Sequence, residues 1–276
     1  MHFPDKTTRV GFIGGGNMAL AIVGGLLRAG WASGAICVAD PDERQHDPFH
    51  GLSIGVRTTT DNAQAVAGAE ALVLAVKPQV MPDVLAGLDL NLANPECVII
   101  SVAAGIELET FESAMGRRAC IRSMPNQGAL TGEGATAMVA NDASTDAQRA
   151  LAEAILGATG TAVWIESESL MDVVTAVSGS GPAYFYALME ALVSSATQRG
   201  LSPETARALV SATAGGAASL ARGLETPLAT LRERVTSPGG TTAAALAALA
   251  EHAFDKTIDV AISAAEHRSR ELAQQK

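Results

Sequence analysis

Val10-Gly11-Phe12-Ile13-Gly14-Gly15-Gly16-Asn17-Met18-Ala19 is the stretch on which the fold turns. Its apolar start reads as a buried strand, and residues 17–29 carry a helical pattern closed by Gly30. The glycines between them fit G-x-G-x-x-G/A as Gly14, Gly16 and Ala19. The first glycine permits a tight turn, the second lets backbone approach a pyrophosphate, and the small third residue lets helix pack on strand. The helix N-terminus then offers N–H groups to an anion. Gly14, Gly15, Gly16, Asn17 and Met18 are therefore candidate dinucleotide-binding residues. A purely structural glycine turn is the competing reading.

Working outward, more short apolar runs appear. Ile36-Cys37-Val38, Leu72-Val73-Leu74-Ala75-Val76 and Val98-Ile99-Ile100-Ser101-Val102 have the near-continuous apolar character of strands covered on both faces in a parallel sheet. Weaker strands are predicted at 120–122, 136–140 and 162–165, with a helix at 146–157. The pattern is α/β, a Rossmann-type doubly wound sheet over residues 1–165. From 166 the texture changes to Ala/Leu patterns of helical period, with helices near 168–177, 182–199, 203–223, 227–235, 241–252 and 255–274. Ser202-Pro203 and Thr226-Pro227 put a capping residue before proline at a helix start. Residues 166–276 read as an all-helical second domain.

Composition narrows the function. The 276 residues are 48% hydrophobic and 17% charged, too apolar for a disordered chain. A net charge of −10 without a basic run excludes a nucleic-acid or anionic-membrane surface. No apolar stretch approaches the roughly 20 residues of a membrane span, and Met1-His2-Phe3-Pro4-Asp5-Lys6 lacks a secretory layout. Cys37, Cys97 and Cys120 are read as buried thiols of a reducing compartment, so a cytoplasmic location is expected.

Other polar residues are candidates with alternatives. Asp40 ends the second strand, where an acidic residue holds a ribose 2′-hydroxyl and favours NAD, whereas Arg44 could meet a 2′-phosphate. Asp40-Pro41-Asp42-Glu43 also reads as a solvated helix start, so the choice between the two nicotinamide cofactors stays open here. His46 and His50 have metal-pair spacing, but Pro48 between them makes a regular helix doubtful, and no third ligand accompanies them; no metal is expected. Two glycine turns stand out in the helical part. Val235-Thr236-Ser237-Pro238-Gly239-Gly240-Thr241-Thr242 forms an array of N–H groups suited to a carboxylate, and Ser178-Gly179-Ser180-Gly181-Pro182 is a second such turn. Each also reads as a plain helix–helix turn.

Six motifs in order carry a resemblance: Val76-Lys77-Pro78-Gln79, Val102-Ala103-Ala104-Gly105, Arg122-Ser123-Met124-Pro125-Asn126, Gly132-Glu133-Gly134-Ala135-Thr136, the segment from Ala176 to Tyr184, and the Ser-Pro-Gly-Gly-Thr-Thr loop. From about residue 8 to 272 the chain resembles pyrroline-5-carboxylate reductase, the last enzyme of proline biosynthesis. The resemblance implies reduction of a cyclic imine to L-proline by a nicotinamide cofactor, NADPH ahead of NADH. It implies a dimer with interlocked helical domains whose sites borrow from both chains, often within a larger ring. By matching motif, Gly14 to Met18 would hold the pyrophosphate, and Asn62, Ala75, Val76, Lys77, Pro78, Val102, Ala103 and Ala104 would line the rest of the cofactor. Ser237, Gly239, Gly240, Thr241 and Thr242 would hold the substrate, with Glu168 supporting them. Two departures stand out: Gln127-Gly128 replace the usual Thr-Pro, and Pro48 interrupts the expected second helix.

The chemistry needs no strong general acid, because the imine can arrive protonated. Positioning suffices: carboxylate at a helix N-terminus and a hydroxyl, assigned to Thr242, near the nitrogen. A β-hydroxyacid dehydrogenase would use a lysine on a central helix of the second domain, and no lysine occurs between Lys77 and Lys256. A non-catalytic nucleotide sensor is the alternative from another class; it would bind cofactor without turning over any imine.

Overall fold

The computed structural model describes residues 5–274. The first four residues of the N-terminal reading, and Lys276, lie outside the described residues. In order come β1 (Val10–Ile13), α1 (Asn17–Arg28), β2 (Ile36–Ala39), α2 (Asp47–Leu52), β3 (Arg57–Thr59), α3 (Asn62–Val66) and β4 (Ala71–Leu74). Then follow α4 (Met81–Gly87), β5 (Val98–Ser101), α5 (Leu108–Met115), β6 (Cys120–Met124), β7 (Gly134–Ala140), α6 (Asp146–Gly157), β8 (Gly160–Trp164) and α7 (Met171–Val174). The remainder is helical: α8 (Gly181–Gln198), α9 (Pro203–Gly223), α10 (Leu228–Arg234), α11 (Thr241–Glu251) and α12 (Phe254–Gln274).

The strands form one sheet in the order β3-β2-β1-β4-β5-β6-β7-β8. Every pair is parallel except β6 with β7. β1 lies between β2 and β4, so the chain winds away from it in both directions. The C-terminal end of β1 is the topological switch point where such sheets bind ligands. Successive residues feed opposite faces, as strand geometry demands. Phe12, Val73 and Ile100 join Ile22, Leu26, Phe49 and Ile155 in one apolar layer. Ile13, Leu72, Leu74 and Ile99 join Met81, Leu85 and Phe111 in the other.

By its contacts the chain makes two units, one from the N-terminus to Ser180 together with the residues from Ala265 on, the other Gly181–Ala264. In the first, Ser269 at the far end of α12 donates to Asp172 of α7 at 2.6 Å. The second unit is helical throughout, with α8 packed against α9. Ser202 caps α9 by accepting the Thr205 N–H at 3.2 Å, with Pro203 in the first turn.

Several expectations are corrected. The strands expected to run to Val76 and Val102 stop at Leu74 and Ser101, releasing their motifs into loops. β3 has no apolar run, only Arg57-Thr58-Thr59, as befits an edge strand. Pro48 does not interrupt the second helix but sits in the first turn of α2, where its missing N–H costs no bond. The helix expected near 168–177 is three pieces: a 3₁₀ turn Glu168–Leu170, α7, and a π-helical turn Thr175–Gly179. The π turn ends at Gly179 and α8 begins at Gly181, so Ser178 and Gly179 are helical and Ser180 is a bend between the two rather than part of an open turn.

Candidate cofactor and substrate sites

The glycine turn is forced by its surroundings. Gly14 has φ +97°, and a side chain there would put its Cβ 2.7 Å from the Ala75 carbonyl oxygen. Gly16, the residue capping α1, has open space where a Cβ would stand. No side chain caps α1, and no acidic residue lies in its first turn. The first N–H of α1 taken within the helix is that of Leu20, bonded to the Gly16 carbonyl at 3.0 Å, which leaves the donors of residues 17–19 for a ligand. That opening at the switch point fits a pyrophosphate.

The Gly15 N–H is already engaged. It donates to Asp40 Oδ2 at 2.7 Å, while Asp40 Oδ1 accepts the Asp42 N–H at 2.9 Å. Asp40 thus ties the end of β2 to the glycine turn. Arg44 is folded onto Asp42, with Nε 2.8 Å from Oδ1 and Nη2 2.7 Å from Oδ2, and its side chain is 89% exposed. Hydrogen bonds from Arg44 hold the Asp42 carboxyl below its ordinary value. His46 and His50 are spent locally, on the Asp40 carbonyl and the Thr58 hydroxyl, each at 2.9 Å. Among the described residues no three His, Cys, Asp or Glu side chains form a metal-binding group.

The other candidate cofactor residues lie along the same sheet edge. Ala75, Val76, Lys77 and Pro78 follow β4, with the Ala75 N–H bonded to the Ile13 carbonyl at 2.8 Å. Val102, Ala103 and Ala104 follow β5, with the Val102 N–H bonded to the Leu74 carbonyl at 3.1 Å. Asn62 is the first residue of α3, behind the capping Asp61.

Glu168 is occupied inside the first unit. Its Oε1 accepts the Leu108 N–H at 2.8 Å and Arg122 Nη1 at 2.7 Å, and Arg122 is buried. The pair braces β6 and α5 against the turn before α7. Asn126 was legible only as a motif letter, yet its Oδ1 accepts N–H groups of Gly128 and Ala135, and its Nδ2 donates to the Ser178 carbonyl at 3.0 Å. It locks the π turn. A Cβ on Gly128 would fall 2.7 Å from the Glu133 carbonyl oxygen, so the Gln127-Gly128 departure suits the turn it occupies.

In the second unit the loop before α11 is closely folded. The Thr236 hydroxyl donates to the Arg232 carbonyl at 2.7 Å, and the Gly240 N–H to the Ser237 carbonyl at 3.0 Å. Gly239 has φ +70°. A Cβ on Gly240 would strike the Ser237 hydroxyl and carbonyl, so the crowding there comes from within the loop. Like α1, α11 has neither a side-chain cap nor an acidic residue in its first turn. The N–H groups of Thr241, Thr242 and Ala243 precede its first internal bond, Ala244 N–H to the Gly240 carbonyl at 3.2 Å. Ser237, Gly239 and Thr241 are exposed, Gly240 and Thr242 half-buried.

Comparison with known proteins agrees with this anatomy. Residues 168–272 match the family model described as pyrroline-5-carboxylate reductase dimerisation, and residues 9–105 match one described as NADP oxidoreductase, coenzyme F420-dependent. The chain is 43% identical to the pyrroline-5-carboxylate reductase of Pseudomonas aeruginosa, over 98% of each chain. It is 40% identical to that of Haemophilus influenzae, over 95% of this chain and 97% of the relative. The solved Coxiella burnetii pyrroline-5-carboxylate reductase superposes with a TM-score of 0.88 at 38% identity, over 96% of this chain and 98% of that one. The Plasmodium falciparum pyrroline carboxylate reductase, solved with NADP bound, gives 0.83 at 26% identity, over 98% and 100%. The chain belongs to the pyrroline-5-carboxylate reductase family.

Proposed function

We infer that the chain performs the reaction of its family: it reduces 1-pyrroline-5-carboxylate to L-proline with NAD(P)H, the last step of proline biosynthesis. The observation that carries this reading is that α1 on the switch point and α11 behind Ser237-Pro238-Gly239-Gly240 both start behind glycines, with no side-chain cap and no acidic residue in the first turn. One suits a pyrophosphate, the other a carboxylate.

When bound, the nicotinamide supplies the hydride. The protein's part is to hold and orient. Gly14, Gly15, Gly16, Asn17 and Met18 receive the pyrophosphate, with Gly15 acting through its tie to Asp40; Asn62, Ala75 to Pro78, and Val102 to Ala104 line the remaining edge. NADPH is the preferred cofactor, with Arg44 reaching the 2′-phosphate once it leaves Asp42; NADH is the lesser one, held through Asp40. Ser237, Gly239, Gly240, Thr241 and Thr242 clamp the substrate carboxylate, and the Thr242 hydroxyl serves the ring nitrogen as hydride arrives at the adjacent carbon. A protonated imine brings its own proton, so no buried acid is required of the protein. Glu168 supports this from its bond to Arg122 rather than as a ligand.

Residues 166–276 form the substrate and dimerisation domain of a homo-oligomer, built from dimers joined through their helices, and residues 1–165 the dinucleotide domain. The family model for dimerisation and the exposed apolar side chains of the second unit support this. The reaction runs in the cytoplasm, a reading supported by three free, buried cysteines; among the described residues no helix is long and apolar enough to cross a membrane. The test is oxidation of NADPH and NADH in parallel with pyrroline-5-carboxylate. Proline formation with both, faster with NADPH, is expected; cofactor binding without turnover would leave only a nucleotide sensor.

A further inference from the structure

We propose that the first unit carries a second anion site, for the phosphate group of a small metabolite, at the sheet edge opposite the glycine turn. A cavity of about 440 Å³ is lined there by residues that include Arg9, Gly11, Gly34, Cys37, Arg57 and Gln64. It opens at the N-terminal ends of β1, β2 and β3. Four residues of strand, about 13 Å, separate Val10 from Gly14. Glycines and alanines on its floor leave the room, and the backbone of α3 sits so close over Gly11 that no side chain fits between them.

Both guanidinium groups have a seat. Arg57 stands directly across from Cys37 in the β2–β3 register, so the two side chains share a face of the sheet. Arg57 hydrogen-bonds the thiol, while burial pushes that thiol up from its ordinary value and keeps it neutral. Arg9 lies over Gly68, whose φ is +67°; a Cβ there would be 2.6 Å from Arg9 Nη1. Glu70 takes the Arg9 backbone N–H at 2.9 Å rather than its guanidinium, and Glu70 does not line the cavity.

The lining of the cavity is the argument: it carries Arg9 and Arg57 and no acidic side chain. Among the described residues neither guanidinium is paired with a carboxylate, although the chain carries ten more negative than positive charges. Two guanidinium groups around a space without a carboxylate suit a ligand with two negative charges and several oxygens, as a phosphate group has. The volume exceeds that of free phosphate and falls in the range of small-metabolite pockets. Gln64 adds a carboxamide for the body of the ligand.

The experiment uses protein saturated with NADP⁺, so that the glycine turn cannot take the probe. Calorimetric titration with inorganic phosphate and with glucose 6-phosphate should show one site per chain at or below about 1 mM. Tighter binding of glucose 6-phosphate makes the ligand a phosphate ester; tighter binding of phosphate makes it the free ion. Arg9→Gln and Arg57→Gln should each weaken binding about tenfold or more, while imine reduction without phosphate stays within about twofold. In the unaltered protein, phosphate should also slow N-ethylmaleimide modification of Cys37 and leave that of Cys97 unchanged, which needs no variant to fold. No measurable binding, equal binding in the arginine variants, or unchanged Cys37 modification would overturn the site.

Discussion

The two units solve the burial problem differently. In the first, every residue of β1, β2, β4 and β5 is buried, and helices cover both faces of the sheet. In the second, only Gly181 and Ala206 are buried. Phe185, Leu209, Leu220, Leu228 and Val260 are each more than half exposed. A single chain thus completes the core that positions the glycine turn but leaves the helical unit without one of its own. The difference teaches that the first unit buries its apolar side chains within one chain, whereas the helical unit leaves many of its own exposed. Large exposed apolar surface of this kind marks an interface.

The sharpest way to break that contrast is to charge the apolar face of α9. Leu209 and Leu220 lie eleven residues apart, on one side of the helix, and each contributes about 1.5–3 kcal/mol when buried. The double variant Leu209→Glu/Leu220→Glu should sediment as a monomer and lose more than about a hundredfold of its imine reduction. Its NADPH fluorescence titration should stay near normal, because the first unit keeps its core. An active monomer would mean the helical unit needs no partner.

Next in size is a change inside the well-packed unit. Glu168→Ala strands the buried Arg122 and removes the acceptor of the Leu108 N–H. Leaving such a charge uncompensated costs about 3 kcal/mol, and the partial exposure of Glu168 argues for somewhat less. Thermal unfolding should fall by several degrees with KM for the imine unchanged. A raised KM at unchanged melting temperature would instead make Glu168 a substrate ligand.

The sequence was most legible where local rules and tertiary demands coincide. The glycine turn, the apolar strands and the helix 146–157 with its Thr145–Gln148 capping box follow from patterns of a few residues. β3 escaped because Arg57-Thr58-Thr59 has no apolar signature; its pairing with β2 alone makes it a strand. Pro48 misled because a proline between two histidines looks like a breaker until the helix start falls on it. The carboxylate of Asp40 bonding Gly15, and the bond from Glu168 to Arg122, join residues 25 and 46 positions apart, a distance no local pattern spans.

Thr242→Val in the helical unit should act on chemistry and not on cofactor. It deletes the hydroxyl and keeps the β-branch. A hydrogen bond to a charged group contributes about 1.5–3 kcal/mol, so kcat/KM should fall about 10- to 100-fold. Gly240→Ala should mainly raise KM, since its Cβ must displace Ser237 and reshape the N–H array. Full activity of Thr242→Val in a folded dimer would make the hydroxyl structural.

The smallest effect concerns cofactor choice, and it returns to the first unit. Arg44 and Asp42 hold each other at the end of β2, both in contact with solvent. Because Arg44 lowers the Asp42 carboxyl, the pair persists at neutral pH and lets go only as pH falls through that lowered value. A 2′-phosphate must therefore compete with Asp42 for Arg44 under assay conditions. Arg44→Ala should weaken NADPH about fivefold and leave NADH nearly unchanged, whereas Asp42→Asn, which frees the guanidinium, should strengthen NADPH by a similar factor; exposed charge pairs act on this scale. Asp40→Asn, by loosening the turn at Gly15, should weaken both cofactors together. Steady-state KM values for NADPH and NADH on the three variants separate the roles. If Arg44→Ala and Asp42→Asn shift NADPH in the same direction, the pair serves only to hold the loop, and cofactor selectivity resides elsewhere on the sheet edge.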